Sequence, residues 1–161
     1  MNIRHATEAD ADAIWRIVAP TIRAGATYTL DPAMSRDAAL SYWMGPDRET
    51  FVAEQDHSLV GTYYIRANQA GGGAHVANCG YMTAVASQGK GVARAMCEHS
   101  IAHAREPGFR AMQFNFVVST NQRAVRLWHS LGFETVGRLP LAFRMPSEEY
   151  VDALVMFRGI L

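Results

Sequence analysis

The sequence predicts an α/β protein built on one largely antiparallel sheet, and three observations carry that expectation. Short alternating or β-rich runs recur along the whole chain. Helical patterns with recognisable ends lie between them. One long helix sits where a crossover between two parallel strands would lie. Counting segments gives a mixed, mostly antiparallel sheet of about seven strands flanked by about four helices. At 161 residues the chain suits one domain with a real core, and a single domain over 1–161 is expected.

Each element has its own justification. "NIRHAT" reads as a short strand. In "TEADADAIWRIVAPTIRAG", Thr7 is placed to cap a helix whose first turn is acidic. Ile14, Ile17 and Val18 share one face of it, and Gly25 is its stop. "ATYTLDPAMS" is a turn-rich loop and "SRDAALSYWMG" a second, short helix. "TFVAEQ" and "LVGTYYIRA" are strands, and "QAGGGA" turns the chain into a third, "HVANCGYMTAV". The helix after Gly91 places Val92, Ala93, Met96, Cys97, Ser100, Ile101 and Ala104 on one broad face. "RAMQFNFVVS" is a strand in which Phe114, Phe116 and Val118 alternate with Gln113, Asn115 and Val117. "NQRAVRLWHSLG" is a helix stopped by Gly132, and "FETVGRL" and "YVDALVMFR" are closing strands.

Composition narrows the function classes. Lys plus Arg and Asp plus Glu are both 15, so the net charge is zero, which argues against nucleic acid as a partner. No apolar run approaches a membrane span, and "MNIRHATEADAD" lacks the order of a signal peptide. The cytoplasm is therefore the expected address, with no membrane partner. Cys79 and Cys97 are expected as free thiols. His99 and His103 stand i, i+4 on the long helix with no third ligand, so they read as a solvated flank and no metal is expected.

The segment with most chemistry is "TAVASQGKGVARAM", a glycine turn opening a helix. Free N–H groups at a helix start carry roughly half a positive charge and suit phosphate, and glycine lets it come close. The Walker spacing fails, because Ala84 stands at its first glycine and Gly91 follows Lys90. The dinucleotide fingerprint fails at Arg94, where its third glycine belongs. Gln88-x-x-Gly91-x-Ala93 after an apolar strand instead resembles the [RQ]-x-x-G-x-[GA] signature of the GNAT superfamily, the acyl-CoA-dependent N-acetyltransferases. Asn121-x-x-Ala124-x-x-Leu127-Trp128-x-x-x-Gly132-Phe133 resembles that family's second signature, and the element order fits along nearly the whole chain.

The resemblance implies acetyl-CoA as acyl donor. Its phosphates would lie at Gln88, Gly89, Lys90, Gly91, Val92 and Ala93. Its pantetheine arm would run along Met82 and Thr83, with Asn121 and Trp128 beside it. It also implies direct attack of an amine in a ternary complex, with backbone N–H groups of a splayed strand as oxyanion donors. A strand carboxylate often serves as base in such enzymes, but Ala77 and Asn78 stand near that place here. Glu54 and Asp152 are the remaining carboxylate candidates, with a water chain as the other route, and His75 reads as surface. Trp128 replaces the usual tyrosine acid and cannot transfer a proton, which leaves Tyr81 as a substitute acid. Asn115 either makes a structural hydrogen bond or orients the reacting groups. A weak likeness to the phosphinothricin and methionine sulfoximine branch suggests a small amine acceptor, such as an amino acid or its analogue. Tyr28, Thr29, Asn78 and Asp152 are candidates to bind it; family members are often dimers, so a homodimer is one option and the oligomeric state stays open. An acyl-CoA-binding module with little catalysis and an enzyme acting on protein N-termini or lysines remain as alternatives.

Overall fold

A computed structural model describes all 161 residues. The chain runs β1 (Asn2–His5), α1 (Ala11–Ala24), α2 (Arg36–Trp43), β2 (Glu49–Gln55), β3 (Ser58–Ala67) and β4 (Val76–Thr83). Then come α3 (Val92–Arg105), β5 (Ala111–Val118), α4 (Gln122–Ser130), β6 (Glu134–Arg144) and β7 (Tyr150–Gly159). The strands form one seven-stranded sheet in the order β1-β2-β3-β4-β5-β7-β6. Every pairing is antiparallel except β4 with β5, across which α3 is the crossover. No helix is long and apolar enough to cross a membrane.

The helix ends follow from local chemistry. A 3-10 turn at Glu8–Asp10 precedes α1, where the Thr7 N–H donates to Asp10 Oδ2 at 2.8 Å. Arg4 Nη1 reaches the same oxygen at 2.8 Å, and together these partners hold the Asp10 carboxyl down to about 2. Gly25 ends α1 in the left-handed region at φ 62, with its N–H on Ile22 O. Ser35 caps α2 by accepting from Ala38 N at 3.1 Å.

Strand alternation sends side chains into two cores, one on each face. On one face Phe51, Tyr63, Ile65 and Phe114 pack with Met96, Cys97, Ile101, Trp128 and Phe133 under α3 and α4. On the other, Val52, Tyr64 and Met82 pack with Ile14, Ile17, Val18 and Trp43 of α1 and α2. Helix α3 sits close on β3 at Gly61, where a Cβ would lie 2.8 Å from Val92 Cγ1. The expected face of α3 is buried except for Ala93, which is half-exposed. Its histidines are not a solvated flank. His99 Nδ1 is 2.7 Å from the Tyr63 hydroxyl, and burial lowers its pKa. His103 Nε2 is 3.1 Å from Glu49 Oε2.

Two strands depart from simple alternation. The β5–β7 register breaks between Phe114 and Val117, so Val117 joins Phe114 in the first core. Phe116 instead lies 6.1 Å from Phe143, ring to ring. An extra residue in one strand reverses the facing of all that follow, and composition does not signal where it falls. Strand β6 runs on past Pro140 to Arg144, beyond the expected "FETVGRL". It is an edge strand, and an edge tolerates the missing N–H.

Asp10→Asn should lower stability at neutral pH by about 1 kcal/mol, the usual cost of a lost cap. Because the native pKa is depressed, the wild-type advantage is present above about pH 4 and lost as pH falls toward 2. Thermal melts of both proteins across that window check this; a pH-independent difference contradicts it.

Candidate active site

Strands β4 and β5 share register only at Val76↔Ala111 and Ala77↔Met112. Beyond that they part, and the gap widens into a cleft of about 820 Å³. Asn78 marks the point of separation, its Nδ2 donating to Gln113 O at 3.0 Å across the missing rung. The backbone of β4 alternates. Val76 O accepts from Asn68 N and Ala84 N donates to Val60 O, so even-numbered residues turn their N–H and C=O toward β3. Odd-numbered Tyr81 and Thr83 therefore turn theirs toward the gap, where no strand meets them.

The α1–α2 loop closes over part of this edge. The Tyr28 hydroxyl accepts from Tyr81 N–H at 2.8 Å and donates to Tyr81 O at 2.7 Å. Burial raises the pKa of this phenol, so it stays neutral. Its ring packs edge-on against Trp43, 6.1 Å between centroids.

At one end of the cleft, β4 leads through a 3-10 turn (Val85–Ser87) into α3. Gly89 and Gly91 both take positive φ, 75 and 82. The first helical bond runs from Ala95 N to Gly91 O, so the N–H groups of Gly91 to Arg94 precede the helix ladder. No side chain caps them and no acidic residue lies in the first turn. A Cβ on Gly91 would meet nothing within 4 Å, so the space above this turn is open. Arg94 and Arg123 line this end, and nothing anionic does.

On the α4 side Asn121 caps its helix by accepting from Ala124 N at 3.4 Å, and its amide also faces the cleft. Trp128 packs 5.2 Å from the Tyr81 ring and 5.0 Å from Phe114.

An acyl-carrying nucleotide fits these features: a cationic helix start for phosphates, an unpaired strand edge for an amide-bearing arm, and an apolar floor. The comparisons agree. Residues 13–133 match the model of the Acetyltransferase (GNAT) family. This chain belongs to the GNAT family. It is an acetyl-CoA-dependent N-acetyltransferase. It is similar to N-acetyltransferase aca1 of Schizosaccharomyces pombe, at 30% identity over 83% of this chain and 72% of that protein. A GCN5-related N-acetyltransferase from Kribbella flavida superposes with a TM-score of 0.92 at 42% identity, covering 98% and 96% of the two chains. The fold is also that of a phosphinothricin acetyltransferase from Sinorhizobium meliloti solved with AcCoA, with a TM-score of 0.86 at 21% identity, covering 98% and 87%.

The GNAT fold brings together most of the residues the motifs single out. Thr83, Gln88, Gly89, Gly91, Val92, Ala93, Asn121 and Trp128 all line the cleft, as do Tyr28, Thr29, Asn78 and Asn115. Several expectations are corrected. Met82 also lines the cleft, but it turns its backbone to β3 and packs its side chain in the second core, so Thr83 offers the free strand edge next to Tyr81, whose N–H and C=O meet the Tyr28 hydroxyl. Lys90 is exposed outside the lining, whereas Arg94 and Arg123 are part of it. The Tyr81 phenol lies 2.7 Å from the buried Ser100 Oγ, and burial raises its pKa well above the usual value. Its ring lines the cleft while its hydroxyl is engaged with Ser100. Asp152 stands outside the cleft, bound to Arg138 Nη1 at 2.6 Å and Leu141 N at 2.9 Å. Glu54 is held near Arg4, 3.5 Å from its Nε, and is likewise absent from the lining.

Asn115 is exposed because β4 has splayed away from it. Its Nδ2 donates to Asn68 Oδ1 at 2.6 Å, and its Oδ1 accepts from Gln113 Nε2 at 2.9 Å. Cys79 and Cys97 are buried free thiols, and burial raises both pKa values. No three histidine, cysteine or carboxylate side chains are arranged to hold a metal ion.

Gly91→Ala should weaken acetyl-CoA binding about tenfold or more in calorimetry, since a methyl group enters the open space above the helix start. Gly108→Ala is the control for backbone strain alone, because Gly108 also has positive φ (91) and open space but lies at the far end of α3. Equal affinities in the two variants contradict the assignment of the turn.

Proposed function

We propose that this enzyme acetylates the amine of a small molecule, an amino acid or an analogue of one, bound alongside acetyl-CoA. The size of the cleft carries this reading. About 820 Å³ is the scale of a site for one small ligand or cofactor, so a coenzyme arm beside Thr83 leaves room for a small acceptor. The acceptor end is walled by Tyr28, Tyr42 and Tyr64 with Arg66 and Asn78, side chains from one loop and three elements.

The roles follow from chemistry. The turn from Gln88 to Ala93, with Arg94 and Arg123, holds phosphate through N–H and guanidinium groups. The Thr83 N–H and C=O pair with the arm, and Asn121 and Trp128 flank it. The Tyr81 N–H is the donor for the acyl oxygen as it gains charge. Tyr28 keeps that N–H paired in the free protein, which avoids the cost of a buried unsatisfied donor until an acyl oxygen replaces it. Acetyl-CoA supplies an activated acyl group on a thiol of pKa about 8.5, which leaves as thiolate without a protein acid.

No Asp, Glu, His or Lys lines the cleft. The Cys79 thiol there is held protonated by burial. The acceptor ammonium therefore loses its proton to water, and the attacking amine is the fraction that is neutral in solution.

Two measurements test this. Acetyl-CoA with a panel of amino acids, amino-acid analogues, simple amines and peptides, read by free-thiol release, should show turnover of small amines. Acetylation of peptides alone contradicts the reading. Across accepted amines, kcat/KM should rise with pH up to the ammonium pKa of each acceptor. One inflection shared by all acceptors would instead reveal a protein base.

A further inference from the structure

The acceptor end of the cleft holds an arginine with most of its hydrogen-bonding capacity unused. Arg66 lies on β3 directly opposite Asn78 of β4 and lines the cleft. Its Nη1 is 3.4 Å from Asp47 Oδ2, a long contact. Its Nε is buried and has no partner, and Nη2 makes no hydrogen bond to the protein. Nε and Nη2 form one edge of the guanidinium, the edge that takes a carboxylate in two parallel hydrogen bonds.

The surrounding charges leave that edge unopposed. Asp47 is already engaged by Arg48, through Nε at 2.8 Å and Nη2 at 3.1 Å. The Arg48 guanidinium lies over the rings of Tyr42 and Tyr64, 4.7 and 4.6 Å from their centroids, which fixes it against the wall of the pocket. One carboxylate thus faces two guanidiniums, and the corner keeps an excess positive charge. Arg66 is the one charged residue lining this end, since Arg94 and Arg123 stand at the glycine turn. A buried N–H without a partner is costly and uncommon, and here it borders a ligand cleft.

We infer that Arg66 binds the carboxylate of the acceptor, so that the preferred substrates carry a carboxylate next to the amine, as α-amino and imino acids do. This rests on the cleft being a small-amine site, and it names the chemical class that the site selects. Asn78 supplies the second contact. Its Nδ2 is committed to Gln113 O, while Oδ1 has no protein partner and can accept from the amine. Directly opposed residues of this kind hold their Cβ atoms about 5 Å apart, so one small molecule can span both side chains. The carboxylate at Arg66 then sets the amine toward the gap between β4 and β5. Arg66 acts by positioning the acceptor and takes no proton.

The test compares each amino acid with its decarboxylated amine and its primary amide in the wild-type enzyme and in Arg66→Gln and Arg66→Lys. Acids should exceed their decarboxylated partners in kcat/KM by roughly 10- to 100-fold, the worth of a bidentate charge-assisted contact. Arg66→Gln should raise KM for the acids by a similar factor with a smaller change in kcat, leave the amines nearly unaffected, and erase the preference. Arg66→Lys should restore part of it. Unchanged acetyl-CoA affinity in calorimetry and an intact melting transition show that a variant is folded. If amines lacking a carboxylate are turned over as well as the acids, or if Arg66→Gln slows both equally, this assignment is overturned while the small-amine reading stands. If no small amine is acetylated and peptides are, both fall.

Discussion

One interrupted ladder organises this molecule. Strands β4 and β5 pair for two residues and then separate inside a sheet whose other strands stay joined. A strand edge left unpaired within a protein is unfavourable, because each N–H and C=O there needs a partner. The chain meets that need by local means. Asn78 bridges the first missing rung to Gln113 O, and Tyr28 reaches over from the α1–α2 loop to satisfy both backbone groups of Tyr81. Thr83 keeps a free edge beside the glycine turn. The gap is therefore held open, and a ligand with amide groups can complete the ladder there.

The two faces of the sheet around this gap differ in character. Under α3 and α4 the floor is aromatic, with Tyr81, Phe114, Trp128 and Phe133 joined in a cluster whose neighbouring ring centroids lie 4.3 to 6.4 Å apart. On the α1–α2 side the lining turns polar, with Arg66, Asn78 and Asn115. Positive charge stands at both ends of the cleft, in Arg94 and Arg123 at one and Arg66 at the other. That arrangement suits a donor whose phosphates bind at the first end. No carboxylate or imidazole lines the cleft, so in the proposed mechanism the protein contributes binding and electrostatic positioning.

Much of this was legible in the residues. Gly25 and Gly91 mark helix boundaries because each takes a positive φ that glycine adopts without strain. The motifs around Gln88 and Asn121 were legible because they are local in sequence, and the family they resemble supplied the identity of the coenzyme. The assignments that failed depend on the third dimension. Met82 looked like a backbone partner for the arm, yet strand alternation turns its N–H and C=O to β3. Asp152 looked like a pocket residue on the last strand, but Arg138 and Leu141 already hold it. Val117 changed faces through a bulge that no composition signal announces.

By itself the sequence determined the element order, the mixed sheet and the place of the phosphate turn, because periodicity, caps and glycine positions act over a few residues. Tertiary structure alone decided how far β4 and β5 stay together, which backbone groups that leaves free, and that a loop tyrosine occupies them. It also decided that Asp47 is shared between Arg48 and Arg66, leaving the Nε and Nη2 groups of Arg66 without a protein partner. Such facts depend on which side chains from distant segments reach the same atom, and spacing along a chain carries no record of that.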